Sequence, residues 1–296
     1  MMCCHFKPKK MKTRTKSLLT LLLVVVSISA YAGGPWLTPK GHGFAQVQAI
    51  FPAYQYSGLL MSHFRDVQGV NRYTYNGDYG AYLEYGLTDK LDVMTAVPFK
   101  YIKTGDLTDE RHFDQLLDEG SLTGLSNYYL GLKYGLIDGD VKVALSLQTR
   151  WNTGTIDYEK GLATGYDANS YGLMLHIGRG SDKQYGFLEL GYHYMSNDFS
   201  DIIEVNLEHG WKVKDAWFIA AVLNVRKSLY NGQYDDTNFA QTGLYPNNQE
   251  WIVGGAKISR DLKGGWGLNT ALPLVPIYFK QVGFNGAFSL GLYKKF

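Results

Sequence analysis

The stretch Phe284-Asn285-Gly286-Ala287-Phe288-Ser289-Leu290-Gly291-Leu292-Tyr293-Lys294-Lys295-Phe296 finishes on an aromatic residue while a strand pattern is still running. Phe284, Gly286, Phe288, Leu290 and Leu292 fall on one face, and Asn285, Ala287, Ser289, Gly291 and Tyr293 on the other. That period of two is the mark of a strand with two unlike faces. A strand at the end of a chain presents a row of backbone donors and acceptors that needs a neighbour. The alternating segment 43–55 near the other end is the natural partner.

The same alternation recurs between these ends. Val141, Val143, Leu145, Leu147, Thr149 and Trp151 oppose Lys142, Ala144, Ser146, Gln148, Arg150 and Asn152. Ile203, Val205, Leu207 and Trp211 oppose Glu204, Asn206, Glu208 and Lys212, and Trp217, Ile219, Ala221, Leu223 and Val225 oppose Ala220, Asn224 and Arg226. Weaker versions run through 73–86, 91–102, 124–136, 169–179, 184–195, 250–260 and 266–272, which makes twelve strands with the two ends. Short turns such as Leu87-Thr88-Asp89-Lys90 and Ile137-Asp138-Gly139-Asp140 alternate with longer links near 56–72, 103–123, 153–168, 196–200, 229–248 and 273–283. Tight and long links in strict alternation predict an all-β, up-and-down, antiparallel transmembrane barrel over residues 33–296, with the tight turns on the periplasmic side. Closure removes the sheet edges, which hydrocarbon cannot satisfy. Tyr73, Tyr75, Tyr85, Phe99, Tyr101, Tyr134, Trp151, Tyr171, Tyr192, Tyr194, Trp211, Trp217, Trp266 and Phe296 sit toward strand ends on the face assigned outward, as two interfacial girdles do. A soluble barrel would invert the faces; the strand number and the one-sided long loops select the membrane.

The first residues carry a different signal. Lys7, Lys9, Lys10, Lys12, Arg14 and Lys16 precede an apolar run from Leu18 through Val26, and Ala30-Tyr31-Ala32 precedes Gly33. A basic region, a short apolar region and small residues predict a secretory signal peptide over 1–32, cleaved near Ala32-Gly33, with Met1 or Met11 as its start. The apolar run is too short to cross about 30 Å of hydrocarbon as a helix. Both cysteines, Cys3 and Cys4, lie within it, so no disulfide or thiolate chemistry is expected beyond. Beyond residue 32 there are 23 basic against 27 acidic side chains, which gives no basic surface for nucleic acid. No cofactor or metal site is expected either. The location these features imply is the outer membrane of a Gram-negative bacterium.

The inward face carries mixed charge: Glu84, Asp92, Lys100, Lys133, Lys142, Arg150, His176, Glu189, His193, Glu204, Glu208, Lys212, Arg226 and Lys257. Each is expensive in lipid, so these residues are expected to line the lumen or to pair with one another. Paired acids and bases filling the lumen would hold the barrel shape; rings of opposite charge around a hydrated passage would select small solutes. Glu204 and Glu208, with Glu189 and His193 on the preceding strand, form the densest cluster, with Lys212 and Arg226 as the expected partners.

Two loops stand out. The acidic link from Thr104 to Gly124 contains Phe113, Leu116 and Leu117 at the spacing of one short amphipathic helix, which could constrict the mouth or form an external turn. The link near 273–283 contains Leu274, Val275, Ile277 and Phe279 and is almost entirely apolar, which predicts a gate packed into the mouth or a collector of apolar ligands. Catalytic residues are not evident: His209 faces outward and no serine accompanies it.

Gly33-Gly34-Pro35-Trp36, Pro39-Lys40-Gly41-His42-Gly43-Phe44, "EYGLTDKLDVMTAVP" from Glu84 to Pro98 and "GLSNYYLGLKYGL" from Gly124 to Leu136 resemble a broad group of outer-membrane barrels. The group is that of the transporter-like proteins associated with the meta-pathway of phenol degradation and their uncharacterised relatives. The resemblance implies an outer-membrane barrel moving small or hydrophobic organic compounds, and supplies no catalytic residues. The membrane barrel itself is expected to contact outer-membrane lipid and lipopolysaccharide, and the C-terminal strand ending at Phe296 is expected to be read by the barrel-assembly machinery. The expected function is a passive channel or transporter for small solutes. The alternatives are a plugged-lumen structural or surface-interaction protein and a lipid-modifying barrel enzyme.

Overall fold

The terminal strand finds the neighbour its pattern calls for. A computed structural model describes residues 33–52, 72–107, 118–235, 242, 244–280 and 287–296, with backbone alone at 52, 72, 107, 272–276 and 279. The expected leader, Phe113 and Leu116 lie outside the described residues. Strand β1 (Gly43–Pro52) runs antiparallel to β15 (Ala287–Lys295), in register from Phe44↔Lys295 to Pro52↔Ala287. Beyond the strand, Gly43 N–H donates to Phe296 O at 2.7 Å and Phe296 N–H returns a bond to Gly43 O at 2.9 Å. Every peptide up to the last residue is thereby tied into the seam.

The intervening strands are β2 (Arg72–Thr88), β3 (Leu91–Leu107), β4 (Gly120–Leu125), β5 (Tyr128–Asp138), β6 (Val141–Trp151), β9 (Ser170–Gly180), β10 (Gln184–Met195), β11 (Ile202–Lys214), β12 (Trp217–Ser228), β13 (Glu250–Asp261) and β14 (Trp266–Lys280). Each pairs antiparallel with the next, and β4 and β5 both pair with β3 as two halves of one interrupted strand. The result is a closed barrel of twelve strand positions. A two-stranded ribbon, β7 (Ile156–Asp157) with β8 (Leu162–Ala163), decorates the link between β6 and β9.

Tight connections gather at one end of the barrel and long ones at the other. One tight connection is a 3₁₀ turn at Lys263–Gly265, where Gly264 takes a φ of 68°, a backbone state that side chains disfavour. Two sequence expectations change. The strand expected at 124–136 is broken at Ser126 and Asn127, because Asn127 faces the β6–β9 link and bonds it: its Nδ2 donates to Tyr166 O at 2.8 Å and its Oδ1 accepts from Tyr166 N–H at 2.7 Å. The apolar link expected at 273–283 is strand as far as Lys280, so Leu274, Val275, Ile277 and Phe279 belong to the wall and not to a gating loop. Pro273 and Pro276 suggested a loop because proline cannot donate to a ladder. The sheet absorbs them through register shifts opposite Ile252/Val253 and Gly254/Ala256.

The faces separate as the alternation requires. Leu147 is 63% exposed and Leu290 55%, among a band of exposed Val, Leu, Ile and aromatic side chains on the outer wall. Lys133 and Asp92, on the inner face, are 2% and 0% exposed. Such a surface suits hydrocarbon and not water. Leu147→Arg, near the middle of β6, is therefore expected to cost about 2–4 kcal/mol when unfolding by urea is followed in lipid vesicles, as for cations near a bilayer midplane. Gln148→Arg, which projects inward, should cost clearly less.

Candidate functional site: the barrel interior

Inward projection brings most of the sequence-predicted charges together, and the partners are specific. Near the short-turn end Lys133 forms a close ion pair with Glu84, and Asp92 lies 4.0 Å from the same ammonium. Glu208 accepts from Tyr185 Oη at 2.5 Å and from Lys257 Nζ at 2.6 Å. Lys100 pairs with Asp78 at 2.8 Å. Midway, Ser146 Oγ meets His176 Nε2 at 2.8 Å, and His176 Nδ1 meets Glu189 Oε1 at 3.0 Å. Asn206 Nδ2 donates to Glu189 Oε2 at 3.0 Å, and Asn224 Nδ2 donates to Asn206 Oδ1 at 2.8 Å. Neutral links of this kind satisfy the interior without adding charge.

Two of the expected lumen residues sit elsewhere. Lys142 pairs with Asp138 at the rim of a short turn, and Lys212 is exposed at the same end beside a register shift. Glu208 therefore takes Lys257 as its partner in place of Lys212. His209 points outward with its ring 4.4 Å from that of Trp211.

The charges draw in a part of the chain to which the sequence assigned no place in the barrel. Residues 33–42 enter the barrel from the short-turn end, and their backbone supplies partners to the inner face. Gly34 N–H donates to Glu189 Oε1 at 2.7 Å, Thr38 N–H donates to Asp92 Oδ2 at 2.8 Å, and Lys133 Nζ donates to Trp36 O at 2.8 Å. Trp36 stands edge-on to Tyr185 and Phe187, with centroids 5.9 Å apart in each case. Room for the segment comes partly from Gly86, where a Cβ would collide with the carbonyl oxygens of Thr38 and Pro39. The available signal was indirect: Asp92 and Glu189 are inward acids, which need donors when buried.

Among the described residues, the long-loop end is held by packing as well as by polar contacts. Leu162 of the ribbon packs with Ile102 of β3 and Leu244. Ala168, Met195, Phe199 and Ile202 form a second buried group, with Tyr166 and Tyr234 against it. Thr164 Oγ1 donates to Leu125 O at 2.6 Å, and Tyr166 Oη bonds Gln249. Burial pushes the hydroxyls of Tyr166 and Tyr245, both on links outside the strands, above the ordinary phenol range.

Beneath this cover lies the cluster around Glu204. Arg150 Nη2 is 3.5 Å from Glu204 Oε2, Arg226 Nη1 is 3.7 Å from Oε1, and His193 Nε2 is 3.2 Å from Oε2 but angled so that no hydrogen bond forms. The guanidinium of Arg226 lies between the rings of Tyr166 and Trp251, at 5.0 and 4.9 Å from their centroids. Cation–π contact of this kind suits a planar, weakly hydrated cation.

No family model matches the chain, and no curated protein matches it in sequence. Among solved structures the fold is similar to the COG4313 outer membrane channel from Pseudomonas putida F1: TM-score 0.69 at 14% identity, over 90% of this chain and 100% of that one. The beta domain of the Bordetella autotransporter BrkA aligns at TM-score 0.46 and 13% identity, over 87% and 100% of the two chains. The Ralstonia pickettii toluene transporter TbuX aligns at TM-score 0.40 and 10% identity, over 87% and 90%. The fold is that of an outer-membrane β-barrel.

Removing one partner of a buried ion pair leaves an uncompensated charge and costs about 3–5 kcal/mol, whereas replacing both partners by apolar groups of similar size is close to neutral. Glu84→Leu is accordingly expected to destabilise by that amount in urea unfolding from vesicles. Glu84→Leu with Lys133→Met should recover most of the loss.

Proposed function

We propose that this protein is an outer-membrane channel for small solutes whose resting lumen is narrowed by its own residues 33–42. The observation that carries the reading is the seating of that segment. Apart from its peptide connection to β1 it is held by hydrogen bonds, among them those of Gly34, Trp36, Thr38, Lys40 and Gly41 with the wall, and by aromatic edges, so it can be displaced while the barrel wall stays intact. A wall built for lipid enclosing a hydrogen-bonded interior is the construction of a passage with polar lining. Small hydrophobic or aromatic compounds are the solutes we propose, in keeping with the resemblance to the phenol-pathway transporter group. The aromatic rim and apolar band would meet outer-membrane lipid and lipopolysaccharide, and the Phe296 end would present the assembly signal.

The dense pairing of Lys133, Glu84, Glu189 and His176 supports a second reading, a permanently filled barrel acting through its surface loops. Planar-bilayer recording separates the two. Wild-type protein should show small, defined openings, and deletion of residues 33–42 should raise conductance several-fold. Gly86→Ala, which unseats the segment through the clash at Thr38 and Pro39, should raise it in the same direction. A barrel that folds and inserts yet stays silent in all three forms would support the filled-barrel reading and reject the channel.

A further inference from the structure

On the outer wall, beside the seam, a hollow of about 650 Å³ opens toward the hydrocarbon across β12, β13, β14, β15 and β1. The ladder explains its shape. Trp217, Arg260, Leu268, Leu292 and Val47 are register partners in turn and form one outward row at the short-turn end of the strands. The next outward row into the membrane runs Ile258, Thr270, Leu290 and Ala49. Thr270 and Ala49 are short beside the leucines, so they leave a floor between taller walls. The Thr270 hydroxyl donates to Ser289 O at 2.7 Å, so that floor offers no free donor. A hollow in a wall that faces acyl chains is filled by one of them, because a void forfeits dispersion contacts with its lining.

Charge at the short-turn end says what that chain is attached to. Arg260 has its guanidinium 5.0 Å from the centre of the Trp217 ring, and among the described residues it has neither an acidic nor a hydrogen-bonded partner. One row nearer the turns, Lys294 stands opposite Trp266 in the ladder, with its ammonium 5.3 Å from the ring centre and one N–H given to Gly264 O. The acid next to Arg260, Asp261, has the opposite parity and is already held by Lys295 at 2.9 Å and Tyr293 Oη at 2.6 Å. Indoles at strand ends mark the level of the headgroups. A guanidinium that lays its face on a ring keeps its N–H edge for a bidentate acceptor, and phosphate fits that edge. Lys294 is two strands away, about 10 Å across the sheet, close enough to add to the field there. Two such cations favour a headgroup of net negative charge over a zwitterionic one. We propose that this groove binds one anionic glycerophospholipid, with its phosphate on the edge of Arg260 and an acyl chain over Thr270 and Ala49. With the short turns in the periplasm, the site lies in the inner leaflet, which selects a phospholipid over lipopolysaccharide. The site goes beyond the channel reading and stands whether or not the barrel conducts.

The test is native mass spectrometry of the detergent-purified barrel, with dioleoyl phosphatidylglycerol, dioleoyl phosphatidylcholine and lipid A offered in separate arms. One phosphatidylglycerol per barrel should be retained, about fivefold or more above either of the others. Arg260→Gln, with folding checked by heat-modifiable mobility, should lower that retention about fivefold. Thr270→Trp, which fills the hollow and leaves both cations, should lower it several-fold and serves if Arg260→Gln does not fold. Lys183→Gln, an exposed cation in the β9–β10 turn, should leave it unchanged. Equal retention of phosphatidylcholine, equal or stronger retention of lipid A, unchanged retention in Arg260→Gln or Thr270→Trp, or an equal loss in Lys183→Gln each overturns the proposal.

Discussion

Hydrocarbon offers no partner to a peptide N–H or C=O, so a sheet that crosses it must have no edge. In this chain that requirement falls on the seam between β1 and β15. It is met by the ladder from Phe44↔Lys295 to Pro52↔Ala287 and by the reciprocal bonds of Gly43 and Phe296. Once the sheet closes, side-chain alternation stops being a local preference and becomes a sorting rule. One parity of every strand meets acyl chains, and the other is enclosed with whatever charge it carries. Leu147 and Ser146 are neighbours in sequence, and they lie on opposite sides of the wall, one widely exposed and one fully buried.

Enclosure then sets a second problem, because buried charge is costly unless it is paired and hydrogen-bonded. The interior solves it in three ways. Lys100 pairs with Asp78 on the neighbouring strand, and Lys133 of β5 reaches Glu84 of β2 across β3. Glu189 is satisfied by neutral donors and an imidazole. Asp92 and Glu189 also recruit peptide N–H groups from residues 33–42, so the same bonds that satisfy the acids hold a segment across the lumen. Electrostatic satisfaction and the seating of the segment are one set of contacts, so weakening the segment would be felt as stability and, on the proposed channel reading, as permeability. In the Glu204 cluster the contacts are longer, with Arg150 at 3.5 Å and Arg226 at 3.7 Å from the carboxylate.

Much of the wall was legible in the sequence, because alternation, turn residues and the aromatic rims are all local signals. The strand of Val141–Trp151 and its partner faces could be read residue by residue. Where tertiary context overrides local chemistry, the reading failed. Pro273 and Pro276 argued for a loop, yet the sheet takes both into β14 by shifting register against β13. Asn127 interrupts a strand because a distant link bonds it, which no window around residue 127 displays. The identity of inward charges was legible from parity, whereas their partners depend on which strands lie beside them in the closed sheet. Glu208 thus meets Lys257, 49 residues away in sequence, and not the nearby Lys212. The lodging of Gly33–His42 was illegible for the same reason, since its bonds reach residues up to 254 positions distant.

The central claim is the orientation of the two faces, and spin labelling in lipid vesicles tests it most directly. Single cysteines at positions 147 and 146, each carrying a nitroxide, would be compared for relaxation by dissolved oxygen and by a neutral, water-soluble nickel chelate. The account predicts strong oxygen and weak nickel relaxation at position 147, with oxygen relaxation falling sharply at 146. Strong nickel relaxation at 147, with protection from oxygen there, would place the apolar band in water and contradict the barrel's assignment to the membrane.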